Sequence, residues 1–297
     1  MTVQLLGAPV AEKIHKLSTE AVAAGLRSGF SRPLLLSLHL GEATPFRLYA
    51  ARQAKAAERV GIGFRSEALP EGATASTLRE RLRAADNDPA VTGVLLEHPL
   101  PKALDFFSAV SMLRAEKDID GVGAANLGGL VARRPVHVPA VALASREILR
   151  HYRIETAGRR VSILGRSSTV GLPTAILFLA RGDGGDATVT VAHSLTSDLA
   201  ASLRGSDVII SCTGRPGFLD RRRVPEGAAV VDVGLSAVAD PARPGGLRAA
   251  GDADPKALDG WASALTPVPG GVGPVTVACL MSNVVRAWEL QREGKRP

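Results

Sequence analysis

Apolar and polar residues fall into blocks along this chain, and the blocks switch between a helical period and short continuous runs. From Pro9 to Leu26 the apolar residues Val10, Ile14, Leu17 and Val22 recur at helical spacing and predict an amphipathic helix. Behind Pro33 comes Leu34-Leu35-Leu36-Ser37-Leu38-His39-Leu40, closed by Gly41, a run that suits a buried parallel strand. Thr44-Pro45 opens the next predicted helix, with Pro in the first turn, running past Tyr49, Gln53 and Lys55 to Val60-Gly61. Thr74 to Ala85 predicts another helix, and Val91 to Leu96, closed by Glu97-His98-Pro99, a second buried strand.

The charged turn Glu116 to Gly121 follows, then a Gly/Ala-rich stretch to Leu130 with no predicted element. Pro135 to Pro139 reads as a domain junction leading into a helix from about Val141 to Tyr152. Arg160 to Leu164 predicts a strand that stops at a turn, Gly165 to Pro173, before a helix through Ala180. Ala187 to Ala192, Asp207 to Ser211 and Ala229 to Val233 predict three further strands, with a helix near Ser197 to Leu203. Val275 to Leu290 predicts a last helix, since Val277, Leu280, Met281, Val284, Val285 and Trp288 keep helical spacing. Strands alternating with helices predict an α/β fold, and strand, glycine turn, helix, strand is the dinucleotide-binding order.

Composition narrows the class without changing this layout. At 297 residues, 45% hydrophobic and 22% charged, the chain can build two modest domains. No apolar run reaches the length of a membrane span and no signal-like N-terminus is present, so a cytoplasmic enzyme without membrane contact is expected. Cys212 and Cys279 lie in apolar surroundings without metal-ligand spacing, which predicts inert thiols, no disulfide framework and no metal site. The net charge of +7 comes from scattered arginines with no interleaved aromatic pattern. It argues against a nucleic-acid partner and for attraction to anionic small molecules.

Two kinds of segment carry candidate chemistry. Seven of the nine residues in Thr266-Pro267-Val268-Pro269-Gly270-Gly271-Val272-Gly273-Pro274 are Pro, Gly or Thr. The stretch is therefore expected to be a rigid loop offering bare backbone, either a structural corner or a wall of a site. The second kind is a set of strand-end turns: Gly165-Arg166-Ser167 to Gly171, His193-Ser194, Thr213-Gly214 and Asp232-Val233-Gly234. The first lacks the usual G-x-G-x-x-G spacing, but it follows a buried strand and opens a helix whose amides can hold a pyrophosphate. Ligands of open α/β sheets bind at such strand ends, so the turns predict a cofactor cleft. Arg166 and Ser194 fall where a ribose 2′-phosphate would lie, favouring NADP over NAD unless Arg166 is merely a solvated side chain.

The order of Tyr49 and Lys55, Pro99-Leu100-Pro101, Lys117-Asp118-Ile119-Asp120-Gly121, Gly165-Arg166-Ser167 with Gly171 and Pro173, Asp232-Val233-Gly234, Gly251-Asp252-Ala253-Asp254 and Thr266 to Pro274 resembles the bifunctional methylenetetrahydrofolate dehydrogenase/cyclohydrolase family. The resemblance runs from about Ala11 to Trp288. It implies two α/β domains flanking a cleft, the second Rossmann-like with a mostly parallel sheet, usually in a homodimer. It also implies NADP-linked oxidation of a tetrahydrofolate-type substrate, 5,10-methylenetetrahydrofolate, and then hydrolysis of the methenyl product. The expected division is residues 1–138 with 275–297 for the substrate domain and 139–274 for the NADP domain. Carried over residue by residue, Tyr49 and Asp120 would place the pterin, and Gly165, Arg166, Ser167, Gly171, His193, Ser194, Thr213, Gly214 and Gly234 would hold the cofactor. Pro269, Gly270, Gly271, Val272, Gly273 and Pro274 would form the substrate loop.

Departures from the family pattern cluster in the first half. The family's catalytic lysine, four residues after the tyrosine, is Gln53; the glutamine before Pro-Leu-Pro is Glu97; and a serine three residues before the tyrosine is Phe46. Glutamine cannot titrate, so the dehydrogenase step is expected to survive better than the cyclohydrolase step, which needs proton movement. Glu97 is either a relocated proton-transfer group with a raised pKa or a solvated carboxylate in a disused site. A more apolar pocket around Phe46 would fit a diverged enzyme for another imine or iminium compound, and a silent NADP- or folate-binding protein is the remaining alternative.

Overall fold

The computed structural model describes residues 1–41, 44–241, 246–292 and 294, and of 44–48 the backbone alone. The chain forms two compact units, Met1–Ala11 with Val141–Thr276 and Glu12–Ala140 with Val277–Pro297.

The second of these units is built on a three-stranded parallel sheet. Its middle strand, β2 (Leu34–Leu40), is flanked by β3 (Gly63–Leu69) and β4 (Gly93–Leu96). The apolar run of β2 is buried almost throughout, as a strand covered on both faces must be, and packs with Leu78, Leu82, Val94, Leu96 and Phe106. Strand β3 (Gly-Phe-Arg-Ser-Glu-Ala-Leu) pairs with β2 over seven residues although its composition predicts no strand. It is an edge strand, so backbone pairing on one side suffices and its charged side chains stay in solvent. Helix α2 (Thr44–Val60) follows β2, and α3 (Ala75–Asn87) is capped by the Thr74 hydroxyl, which accepts from the Thr77 amide. The Gly/Ala-rich stretch is not irregular throughout: Ala124–Val131 forms a helix, α5, after the short α4 (Phe106–Val110).

The other unit is built on a six-stranded parallel sheet in the order β1 (Val3–Gln4), β11 (Ala264–Leu265), β8 (Ala229–Asp232), β7 (Val208–Ser211), β5 (Arg160–Leu164), β6 (Thr188–Ala192). Every neighbouring pair in it is parallel. A separate antiparallel pair joins β9 (Ser236–Ala239) to β10 (Leu247–Ala250). Leu164, Leu203, Ile209, Val230, Leu258 and Leu265 form its core. The first eleven residues pack with this compact unit. Val3 and Gln4 pair with Ala264 and Leu265, and the Thr2 hydroxyl donates to the carbonyls of Leu258 and Ala262. Two-residue strands such as β1 and β11 are too short to leave a periodicity signal, which is why the sequence hides this edge.

Candidate functional site

In the six-stranded unit, the predicted cofactor turns line one edge of the sheet. The chain passes from β5 to β6 on one side and then returns to β7 on the other, so β5 marks a topological switch point. The turns after these strands are bonded side by side: the Gly165 amide donates to the Ala192 carbonyl (2.9 Å), Cys212 to Leu164 (2.8 Å) and Val233 to Ser211 (2.8 Å). Gly165 has φ +115°, which side-chain-bearing residues avoid, and a Cβ there would press on the Cys212 carbonyl oxygen at 2.7 Å. A Cβ on Gly171 would overlap the Gly165 backbone, so helix α7 (Gly171–Leu179) sits directly against the turn. The Ser167 hydroxyl accepts from the amides of Val170 and Gly171 (3.2 and 3.3 Å). Arg166 is exposed and has no ion-pair partner among the described residues. His193 is half-buried; its Nδ1 accepts from the Leu195 amide, and its own amide donates to the Thr196 hydroxyl. Ser194 is exposed. This glycine turn at a helix start, with the exposed Arg166 guanidinium beside it, fits a dinucleotide carrying an extra phosphate.

Two carboxylates that sequence reading left as motif letters build this edge. Asp252 is fully buried and accepts from the Ser211 hydroxyl (2.7 Å), the Thr213 amide (2.7 Å) and the Arg215 amide (2.8 Å). It thereby fixes the turn containing Gly214. Asp232 accepts from the amides of Gly234 (2.9 Å), Asp252 (3.0 Å) and Ala253 (2.8 Å). Burial outweighs these bonds and raises its pKa to about 6, with the Asp252 charge adding to the shift. Burial, followed by the charges of Asp252 and Asp232, pushes the Cys212 thiol to about 12, so it is inert as expected.

The Pro/Gly segment lies at the same edge, after β11. The Thr266 hydroxyl accepts from the Asp232 amide (2.7 Å), the Gly271 amide donates to the Pro267 carbonyl (2.8 Å), and Gly7 donates to Gly270 (2.8 Å). The Gly7 Cα packs so closely on Gly271 that a Cβ would overlap its carbonyl oxygen. The segment is not a loop to its end: helix α10 (Val272–Arg292) starts at Val272, three residues earlier than its apolar spacing predicts. Pro274 fits in that first turn, where no amide donor is required. Pro269, Gly270, Gly273 and Pro274 are exposed, while Gly271 and Val272 are buried.

In the three-stranded unit, Tyr49 and Gln53 stand one turn apart on α2, and Glu97 follows β4. The pairing of Leu38 with Leu96 sets the end of β4 beside β2, where the Glu97 amide donates to the Leu38 carbonyl (2.8 Å). There the side chains meet: Gln53 Nε2 donates to Glu97 Oε1 at 2.7 Å, and Ser37 Oγ donates to the same oxygen at 2.9 Å. Gln53 is fully buried and Glu97 is 6% exposed, so Glu97 is no solvated carboxylate. The carbonyl oxygen of the Gln53 amide is buried and has no hydrogen-bond partner among the described residues. Burial pushes the Glu97 pKa up, against the bonds from Gln53 and Ser37 and the influence of His39. Tyr49 is raised by burial and by the charges of Glu97 and Asp120. Lys55 is exposed, and the side chain of Phe46 lies outside the described residues.

Asp120 is half-buried and its pKa is raised to about 7, by burial first and then by the charges of Asp118 and Glu97, against a bond from the Ala140 amide. Its neighbours in the charged turn are structural. Lys117 caps the end of α3, with Nζ donating to the carbonyls of Ala85 (3.1 Å) and Asp88 (2.6 Å). Asp118 accepts from the amides of Gly121 and Gly123 and from Asn126 Nδ2, which closes the turn around Asp120. Ser37 was missed by sequence reasoning because it sits inside a leucine run. A single polar residue facing a buried layer was the available signal.

Residues 5–120 match the family model described as tetrahydrofolate dehydrogenase/cyclohydrolase, catalytic domain, and residues 139–292 match the NAD(P)-binding domain of the same family. The bifunctional protein FolD of Nocardia farcinica is 40% identical over 291 residues, covering 98% of this chain and 99% of that protein. Among solved structures, the N5,N10-methylenetetrahydrofolate dehydrogenase-cyclohydrolase of Trypanosoma brucei, complexed with NADP cofactor and inhibitor, is 36% identical with a TM-score of 0.91, covering 99% of each chain. The silkworm (Bombyx mori) 5,10-methylenetetrahydrofolate dehydrogenase is 33% identical with the same TM-score, over 99% of this chain and 100% of that one. The chain belongs to the tetrahydrofolate dehydrogenase/cyclohydrolase family.

Proposed function

We propose, with that membership as the premise, that the protein oxidises 5,10-methylenetetrahydrofolate to the 5,10-methenyl form using NADP, and that its hydrolysis of the methenyl form to 10-formyltetrahydrofolate is weakened or lost. The match to both family segments carries the first part. The Gln53–Glu97 hydrogen bond carries the second. Bound NADP supplies the hydride acceptor. The chain's part is to hold it, through the Gly165–Gly171 turn, His193, Thr213, Gly214 and Gly234, with Arg166 and Ser194 at the 2′-phosphate. The six-stranded unit is then the cofactor domain and the three-stranded unit the folate domain. Tyr49 packs on the pterin, Asp120 accepts hydrogen bonds from its edge, and the segment Pro269 to Pro274 lines the substrate. Hydride transfer needs alignment, which these groups supply without a proton donor. Hydrolysis needs a water proton to be taken and the ring opened, and Gln53 has no titratable group for either task. The protein acts as a homodimer in the cytoplasm.

One assay following NADPH formation and methenyl absorbance together tests the reading. NADPH should rise with methylenetetrahydrofolate while the methenyl compound accumulates. No NADP reduction would sink the dehydrogenase assignment; rapid loss of the methenyl signal would sink the weakened hydrolysis. Elution of the native protein at the mass of a monomer in size-exclusion chromatography would reject the dimer.

A further inference from the structure

We propose that Glu97 is a specificity-determining residue that makes this site select the cationic methenyl state of its folate over the neutral methylene state, favouring oxidation and opposing hydrolysis. The inference rests on the folate reading above and adds a charge preference to it.

Glu97 is faced by Ser37 and His39 from β2 and by Gln53 from α2; Asp120 is faced by Asp118, by Glu97 and by the Ala140 amide; Tyr49 is near both carboxyls, with Arg52 on its own helix. Among the described residues no lysine or arginine forms an ion pair with Glu97 or Asp120. Where the family pattern has an ammonium group and a neutral amide, this site has a neutral amide and a carboxyl. The Gln53 amide turns its NH₂ to Glu97, which leaves its carbonyl oxygen, without a partner among the described residues, as a further negative end in the same place. The changes at positions 53 and 97 therefore both move the site's potential in one direction, towards negative.

The chemistry of the proposed substrate supplies the matching positive group. Loss of hydride from the methylene carbon would break its C–H bond, with the hydrogen and its electron pair passing to the oxidised NADP that the six-stranded unit would hold. The carbon between the two folate nitrogens then carries a delocalised amidinium charge, and no proton is transferred. Positive charge grows along this step, so a fixed negative field stabilises its transition state more than its reactant. Hydrolysis runs the other way, because water attack removes the positive charge. The same field then stabilises the reactant and raises the barrier. One carboxyl thus pushes the two steps in opposite directions, a stronger account of weakened hydrolysis than the loss of a proton donor alone.

Binding measured without NADP tests this apart from turnover. The probes are 5,10-methenyltetrahydrofolate and 5,10-methylenetetrahydrofolate, titrated by rapid mixing and tryptophan fluorescence before hydrolysis sets in. They share the anionic glutamate tail and differ by one hydride, so their Kd ratio reports the charge preference. Wild type should bind the cation at least about tenfold tighter, the order expected of a charge-assisted contact in a dry site. In Glu97→Gln the ratio should fall to near one with the methylene Kd little changed. Gln53→Lys, which sets an ammonium against Glu97 while keeping the carboxyl, should collapse the ratio by a second route and covers the case in which Glu97→Gln fails to fold. A ratio unchanged in the folded variants, or equal binding of both probes by wild type, overturns the inference and leaves the folate reading standing. Failure of wild type to bind either probe overturns both.

Discussion

Asp232 and Asp252 of the six-stranded unit contrast with Glu97 and Asp120 of the three-stranded unit, where Asp118 is satisfied as fully as the first pair. In the six-stranded unit, Asp232 and Asp252 take five backbone amides and one hydroxyl between them, and both oxygens of each are used. In the three-stranded unit, the two donors that reach Glu97 among the described residues both go to Oε1, and both come from side chains. Asp120 is faced by one amide and two other carboxyls. A saturated carboxylate is scaffold: it organises turns and has nothing left to offer a ligand. An unsaturated one keeps acceptor capacity and charge that only a ligand can meet, which is what a binding site requires.

The largest effect should come from breaking the saturated side. Asp252→Ala leaves the Ser211 hydroxyl and the Thr213 and Arg215 amides without their acceptor, at about 1–3 kcal/mol for each buried orphan. A loss of about 3 kcal/mol or more in urea unfolding is expected, together with weakened NADP binding because the Thr213–Arg215 turn loses its anchor. Glu97→Gln, by contrast, replaces a buried carboxyl with a neutral isostere and should change stability by less than about 1 kcal/mol. Equal costs for the two substitutions would erase the distinction between scaffold and site.

Exchanging the polar pair comes next. The double variant Gln53→Lys/Glu97→Gln restores the family's residue types at both positions and removes the excess negative charge. Methenyl hydrolysis should rise about 100-fold, the usual scale of a positioned acid-base group. Each single variant should recover less than the pair, because the two side chains share one hydrogen bond. Full recovery by Gln53→Lys alone would show that the missing ammonium, and not the added carboxyl, governs the hydrolysis rate.

A smaller effect is expected from Gly171→Ala. Its Cβ would run into the Gly165 backbone, which cannot yield as a side-chain tip can, so about 1–3 kcal/mol of stability should be lost. The Kd for NADP should rise, while the methenyl-to-methylene binding ratio stays at its wild-type value. A shift in that ratio would tie the charge preference to the cofactor edge rather than to Glu97.

How much of this was legible in the sequence follows from where each signal is stored. The runs that became β2, β5, β7 and β8 announce themselves because a parallel strand buried on both faces has to be continuously apolar. Edge strand β3, with Arg65, Ser66 and Glu67 in its middle, is held by main-chain pairing that leaves no side-chain pattern. The start of α10 is blurred by Gly273 and Pro274, residues that read as loop yet are allowed in a first turn. The site divides in the same way. Gln53 and Glu97 stand out as residue types, but their contact depends on the β2–β4 register and the packing of α2. The tasks of Ser37 and Asp252 exist only in three dimensions, where a hydroxyl and two turns converge on a carboxylate.

The mildest test uses pH, and it bears on both groups at once. Asp120 titrates at about 7 and Asp232 at about 6, each raised chiefly by burial from 3.8. A carboxyl whose native pKa is raised binds its proton more tightly folded than unfolded. Its contribution to stability is therefore full below about 4 and is lost as pH rises to the native value. Urea-unfolding stability should accordingly fall between about pH 4 and 7, and Asp120→Asn should remove the upper part of that fall while leaving the part that Asp232 supplies. Dehydrogenation should move oppositely. As Asp120 ionises beside Asp118, Glu97 and Tyr49, the field favouring the amidinium grows, so the rate should rise through about pH 7, by less than tenfold per unit. A rate that fell as pH rose through 7, with stability falling alongside it, would mean that the protonated pair is the working form and that this site holds its ligand by donating a hydrogen bond instead of by charge.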